Sequence, residues 1–262
     1  MCLALGVGAA GLPRMALAAP AQGHNARAAA GGAPRASLAA TFAPERLGAP
    51  TTVTFALNID PPPETAPPPL SQIDFSYPGN LGFATSGLGL AACDPLELQA
   101  VGGQACPANS RMGGGTATVE VSFGAELIQE HVVLELFAAP SPDGYVHLAI
   151  LARGAEPVEA RIVITAVLLP GHLQIDVPVV AGLPGAPDVA IKQIRATLGG
   201  ALTYYEQVHG HLVAYRPRGI GLPDSCPRGG WRLGAALAFQ NGEQSQAGAV
   251  IACPQRRGRR RG

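Results

Sequence analysis

Few residues in this chain have the types and spacing that chemistry needs. His209-Gly210-His211 is the best metal candidate. Residues two apart on a strand share a face, so both imidazoles would approach one ion. A third ligand would have to come from afar, from Glu206 or His172, and nothing in the sequence fixes it. Two exposed histidines at a strand end is the plainer reading, and no metal or cofactor is expected. Glu126, Glu130, Glu135 and Asp176 are the acids from which a glycoside-hydrolysing pair would be drawn, which needs two carboxyl groups about 5 to 10 Å apart. Such acids ordinarily form the solvated face of a sheet. Ser86, within Ala84-Thr85-Ser86-Gly87-Leu88, lacks the first glycine of a nucleophile elbow, and neither a phosphate loop nor an H-E-x-x-H pair occurs. Gly113-Gly114-Gly115 leads into a strand, so no helix N-terminus meets a phosphate there, and its glycines read as turn residues. The chain is expected not to be an enzyme.

The cysteines carry the firmer signal. Cys2 lies in a leader and is expected to be removed with it, which leaves Cys93, Cys106, Cys226 and Cys253. An even count in an exported chain favours disulfides, and neither pair shows the C-x2-C spacing usual for zinc. Trp231, Leu233, Ala235, Leu237 and Phe239 alternate into a core, Asn241-Gly242 is a favoured two-residue turn, and Gln244 to Cys253 returns. With Gln240 paired to Glu243, Gly230 falls opposite Cys253, and a short loop through Pro227-Arg228-Gly229 brings Cys226 onto it. That makes 226–253 the expected bridge, with Trp231 beside it, and leaves 93–106 as its complement. Cys93 and Cys106 bracket a short helix: Asp94 caps it, Pro95 suits its first position, Glu97 completes a capping box, and Gly102-Gly103 ends it. Roughly two turns would not survive alone in water. A bridge around them would remove about 3 kcal/mol of unfolded-chain freedom on the entropic model.

These features must be held by strands. Val53, Phe55 and Leu57 share one face of a strand over 51–57, and Ile73, Phe75 and Tyr77 one over 72–77, with a further strand over 37–42. PPPETAPPPL between the strands over 51–57 and 72–77 is an extended surface connection, because proline cannot donate to a ladder. Ala117, Val119, Val121 and Phe123 face one way while Thr116, Thr118, Glu120 and Ser122 face the other. Strands over 131–138, 145–152, 158–168 and 173–180 follow at intervals of about 8 to 15 residues, and residues 188–198 are read as one more strand despite a helix-like Ile191, Ile194, Leu198 spacing. The expected fold is therefore all-β: an antiparallel, Ig-like β-sandwich of one large or two small units, with a short disulfide-bracketed helix. Its expected divisions are a signal peptide over 1–21, lacking the usual positive start and so read as truncated, and a flexible linker over 22–35. A β-sandwich over 36–180, further strands or a second small β unit over 181–254, and an arginine-rich tail over 255–262 complete it.

Composition agrees. The 47% hydrophobic fraction excludes a disordered chain, and 34 Gly with 25 Pro fit frequent turns. The formal charge is zero, but five arginines lie in the last seven residues and Arg14 in the leader. Removing those six from 18 basic residues leaves 12 against 18 acidic ones, a body of about −6, which excludes nucleic acid as a partner. The leader is too short and too broken by Gly11, Pro13 and Arg14 to span a bilayer, and no later run reaches about twenty apolar residues, so no transmembrane segment is expected. The arginine tail is a candidate attachment to anionic cell-wall polymer or lipid headgroups, to be weakened by salt.

The order of ATFAPERLGAPTTVTF, PPPL before YPGNLGF, LAAC before CPANSRMGGGTATV, and a late SCPRGGW ending in CP resembles a family of uncharacterised exported proteins of high-GC Gram-positive bacteria, over roughly residues 36–254. Arg111-Met112-Gly113 matches its C-P-x-x-S-x-x-G-x-G-like piece only approximately. The resemblance implies export and a β-rich fold and carries no activity. The expectation is thus a secreted or cell-surface, non-catalytic structural or binding module of the cell envelope. A carbohydrate-binding module, for which Tyr204-Tyr205 is the only aromatic doublet, and an envelope hydrolase are the alternatives.

Overall fold

The computed structural model describes residues 33–61, 67–83, 91–123, 126–155, 159–181, 188–199, 203–215 and 220–254. The expected signal peptide, almost all of the linker and the arginine tail lie outside them. The described chain is β1 (Arg35–Ala43), β2 (Pro50–Asp60), β3 (Leu70–Ser76), β4 (Gly82–Phe83), α1 (Pro95–Val101), β5 (Arg111–Phe123), β6 (Glu126–Ala139), β7 (Val146–Gly154), β8 (Ala160–Leu169), β9 (His172–Asp176), β10 (Ala190–Leu198), β11 (Tyr204–Val208), β12 (His211–Tyr215), β13 (Ile220–Gly221), β14 (Trp231–Phe239) and β15 (Gln244–Ile251). Of the segment 188–198, Ala190–Leu198 is strand, and among the described residues no helix is long and apolar enough to cross a membrane.

Thirteen strands form one sheet. β4 and β13 lie off the main run, and the other eleven follow one another as β1-β2-β10-β5-β6-β7-β8-β9-β3-β14-β15, every ladder antiparallel. The last strand comes back beside the first, where Ser245 Oγ donates to the Pro34 carbonyl at 2.7 Å. Eleven is odd, so strict alternation leaves β1 and β15 running the same way. The sheet is a nearly closed barrel with a parallel seam.

The expectation of an all-β, antiparallel fold with a short disulfide-bracketed helix holds, while the sheet is barrel-like rather than clearly an Ig-like sandwich. Period-two alternation states that one face of each strand is buried, and a curled sheet satisfies that as well as two facing sheets do. The deciding pairings are non-local. β10 inserts between β5 and β2, and β14 joins β3, so strands from both expected divisions share one sheet. Register shifts at Arg111/Gly113, Ile191/Gln193 and Ala238/Phe239 add the bulges that bend strands into a wall.

The glycine triplet also departs from expectation. It lies within β5, where a Cβ on Gly113 or Gly115 would press into the carbonyl oxygens of Thr197 and Arg195 on β10. Close strand approach requires these glycines, not a turn.

One end of the barrel is filled mostly by large apolar side chains. Trp231 is fully buried and meets Phe42 edge-on at 5.5 Å, with Leu81, Ile220, Leu222 and Ile251 in the same cluster. The hairpin register is shifted by one from the expected one: Trp231 pairs with Ile251, which places Gly230 opposite Ala252. Phe239 N donates to the Glu243 carbonyl, Gly242 N to the Phe239 carbonyl, and Gly242 takes φ +84°, so the loop is three residues long. Asn241 Oδ1 accepts from Glu243 N at 3.0 Å and holds it. That geometry, a turn closed by a left-handed glycine, competes with the two-residue turn that Asn-Gly advertises. Cys226 and Cys253 are bridged nonetheless, with Cα atoms 5.8 Å apart.

Candidate functional site

Strand parity decides which side chains enter the barrel. On β6, Glu130, Val132, Leu134 and Leu136 point inward and His131, Val133 and Glu135 outward. The same parity on β5, β7, β8 and β10 turns Val119, Ile150, Ile162, Ile164, Ile191 and Ile194 inward. The outer wall carries Thr116, Thr118, Gln193, Arg195 and Thr197. Apolar inside and polar outside is the reverse of a transmembrane barrel's polarity.

Eleven strands enclose more space than side chains of this size fill, since about eight already suffice for a packed interior. Toward the end where β7 turns into β8 and β9 leaves for β10, an apolar cavity of about 190 Å³ remains. Phe55 and Phe75, 4.8 Å apart from opposite walls, form its floor and separate it from a second cavity of about 50 Å³ above the Trp231 cluster. Around the larger cavity Phe55, Val132, Ile162, Ile164, Ile191 and Ile194 face inward yet stay only partly buried. Apolar side chains that point into a barrel and remain reachable mark a pocket left open.

Glu130 is the only polar side chain among the described residues lining this cavity, and it is 4% exposed. Burial pushes its carboxyl above the ordinary carboxylate value, opposed in part by a hydrogen bond from the Ala155 backbone N–H. Oε1 has no partner. The expectation that these acids form a solvated face fails here, and the signal was available: Glu130 has the parity of Val132, Leu134 and Leu136.

The other acids are scattered. Glu126 is exposed and four residues along the same strand, roughly 14 Å from Glu130. Glu135 lies on the outer wall, held by Arg111 at 2.6 Å and Arg153 at 3.2 Å. Asp176 is exposed and accepts from Gln72 at 3.2 Å. No two of them face each other in a cleft. His209 and His211 do not share a strand: His209 (φ +50°) and Gly210 (φ +81°) form the β11–β12 turn. His172 is engaged by Asp74 at 2.9 Å. Among the described residues no three His, Cys, Asp or Glu side chains gather in a metal-binding group. Tyr205 projects from the β11–β12 hairpin, 63% exposed, and the side chain of Tyr204 lies outside the described set.

The Cys93–Cys106 bridge, with Cα atoms 5.0 Å apart, closes the segment that carries α1, and Cys93 N donates to the Ala138 carbonyl of β6, laying that segment against the outside of the barrel. Asp94 Oδ1 accepts from Leu96 N at 2.7 Å and Glu97 N at 3.4 Å, as a cap should. Leu98 then packs with Phe137, Ala149 and Leu151, the outward residues of β6 and β7. Gln99 clips the helix to β8 through the Arg161 carbonyl (2.6 Å) and Val163 N (2.8 Å). The helix and its bridge thus brace the wall behind the cavity.

Comparison with protein-family models, curated proteins and solved structures finds no match to this chain.

Proposed function

We propose that the protein is an exported, non-catalytic binding protein of the cell envelope, and that its site is the barrel lumen, which holds one small apolar or amphipathic molecule. The carrying observation is the cavity of about 190 Å³ walled by inward aliphatics that are only partly buried. An apolar cavity of about 150 Å³ already suffices to admit a benzene-sized guest. Two disulfides and the leader-like start support an oxidising, extracytoplasmic location. The arginine tail supports retention near anionic wall polymer or lipid headgroups by charge.

Diphenylhexatriene, a hydrocarbon that fluoresces only out of water, tests the reading. Titration into the oxidised full chain gives saturable uptake of one probe per barrel. Fluorescence no greater than that from a variant with the lumen filled would defeat it.

A further inference from the structure

Resting on that reading of the lumen, we infer that the bound molecule carries a hydrogen-bond-donating head, hydroxyl or ammonium, which Glu130 receives at the mouth of the cavity. A wholly apolar site needs no carboxyl, yet one is built into this wall, nine-tenths buried and in line with Val132 and Leu134. One of its oxygens is left without a partner. Buried polar atoms are almost always satisfied, so a free acceptor facing an apolar cavity defines the complement it lacks: a donor.

Position agrees with an amphiphile. Glu130 pairs with Val119 on β5, near the end where the cavity reaches the surface. The floor lies deeper, because Gly115, four residues along β5, is opposite Ala196, which is opposite Phe55. Four residues of strand amount to at most ~14 Å, the span of a short alkyl chain running from a head at Glu130 to the Phe55–Phe75 pair. The chemistry also excludes a class. No Arg, Lys or His lines the cavity among the described residues, so a fatty-acid carboxylate would meet a like group with no cation to compensate.

Competition against bound diphenylhexatriene at neutral pH decides the matter, using octylammonium, 1-octanol and octanoate on the full oxidised chain. The first two displace the probe at concentrations about tenfold or more below octanoate. Glu130→Gln, which keeps a carbonyl acceptor, retains 1-octanol and loses about tenfold for octylammonium. Glu130→Leu loses both preferences while still taking up the probe, which shows that the barrel is intact. Equal displacement by all three heads, or an unchanged ranking in Glu130→Leu, overturns the inference and leaves the lumen reading standing. Absence of probe uptake by the unaltered chain overturns the lumen reading itself.

Discussion

Ala152 and Ala149 lie three residues apart on β7 and therefore on opposite faces of the barrel wall. Ala152 lines the cavity, whereas Ala149 is fully buried beneath α1 against Phe137 and Leu151. The same substitution should act with opposite sign at the two positions. Ala152→Leu adds three carbons to existing empty space. At about 0.8 kcal/mol per buried methylene the ceiling is about 2.4 kcal/mol, and imperfect fit leaves a gain of about 1–2 kcal/mol. Ala149→Leu pushes the same three carbons into a packed seam and should cost about 1–3 kcal/mol. In a chain of this size that separates the melting temperatures by several degrees, Ala152→Leu above the parent and Ala149→Leu below it. Differential scanning calorimetry with disulfides intact reads the sign, and diphenylhexatriene uptake should fall in Ala152→Leu alone. If Ala152→Leu destabilises as much as Ala149→Leu, the cavity is not empty space and the reasoning fails.

Gly115→Ala should cost several kcal/mol and change the β5–β10 edge, since its Cβ meets the backbone of Arg195 and Ala196 rather than a movable side chain; urea unfolding measures the loss, and a neutral result would show that the two strands are not pressed together. Replacing Cys226 and Cys253 with serine should cost about 3.5 kcal/mol for its 27-residue separation. The same change at Cys93 and Cys106 should cost about 3 kcal/mol for 13 residues and expose Phe137 and Leu151 while probe uptake survives. Glu130 sets a pH dependence: its folded carboxyl holds a proton more tightly than the unfolded one, so its contribution is fully present below about pH 4.5 and is lost as pH rises through the folded value. Glu130→Gln should flatten that part of the stability profile, and an unchanged profile would count against burial of the carboxyl.

What the sequence disclosed was local, because the signals it carries are local. Alternation from Thr116 to Val121 and from Trp231 to Phe239, the Asp94 cap and the return after Asn241-Gly242 all concern neighbours in the chain. The cysteine pairing followed from the hairpin and survived an error of one residue in its register, because the turn from Pro227 to Gly230, closed by Gly230 N on the Pro227 carbonyl with Gly229 and Gly230 at positive φ, still brings Cys226 back onto Cys253. Closure of the sheet was not legible. It depends on β10 crossing to β2 and on β15 returning beside β1, and neither the pairing nor the contact leaves a mark in either strand's own residues. The site was half legible. Parity along β6 already aligned Glu130 with Val132 and Leu134, but an apolar face with one acid reads as solvated until closure shows that the face has no solvent side. The β11–β12 hairpin shows the converse, since His209 occupies the left-handed position of a two-residue turn that Asn, Asp or Gly would have announced.

The claim on which the rest depends is that a guest enters the lumen, and methyl-resolved nuclear magnetic resonance tests it directly. Added octanol should give nuclear Overhauser contacts to the methyl groups of Val132, Ile162, Ile164 and Ile194. Contacts confined to outward residues such as Val133 and Val250, or to Leu212 on the β11–β12 hairpin, would contradict it.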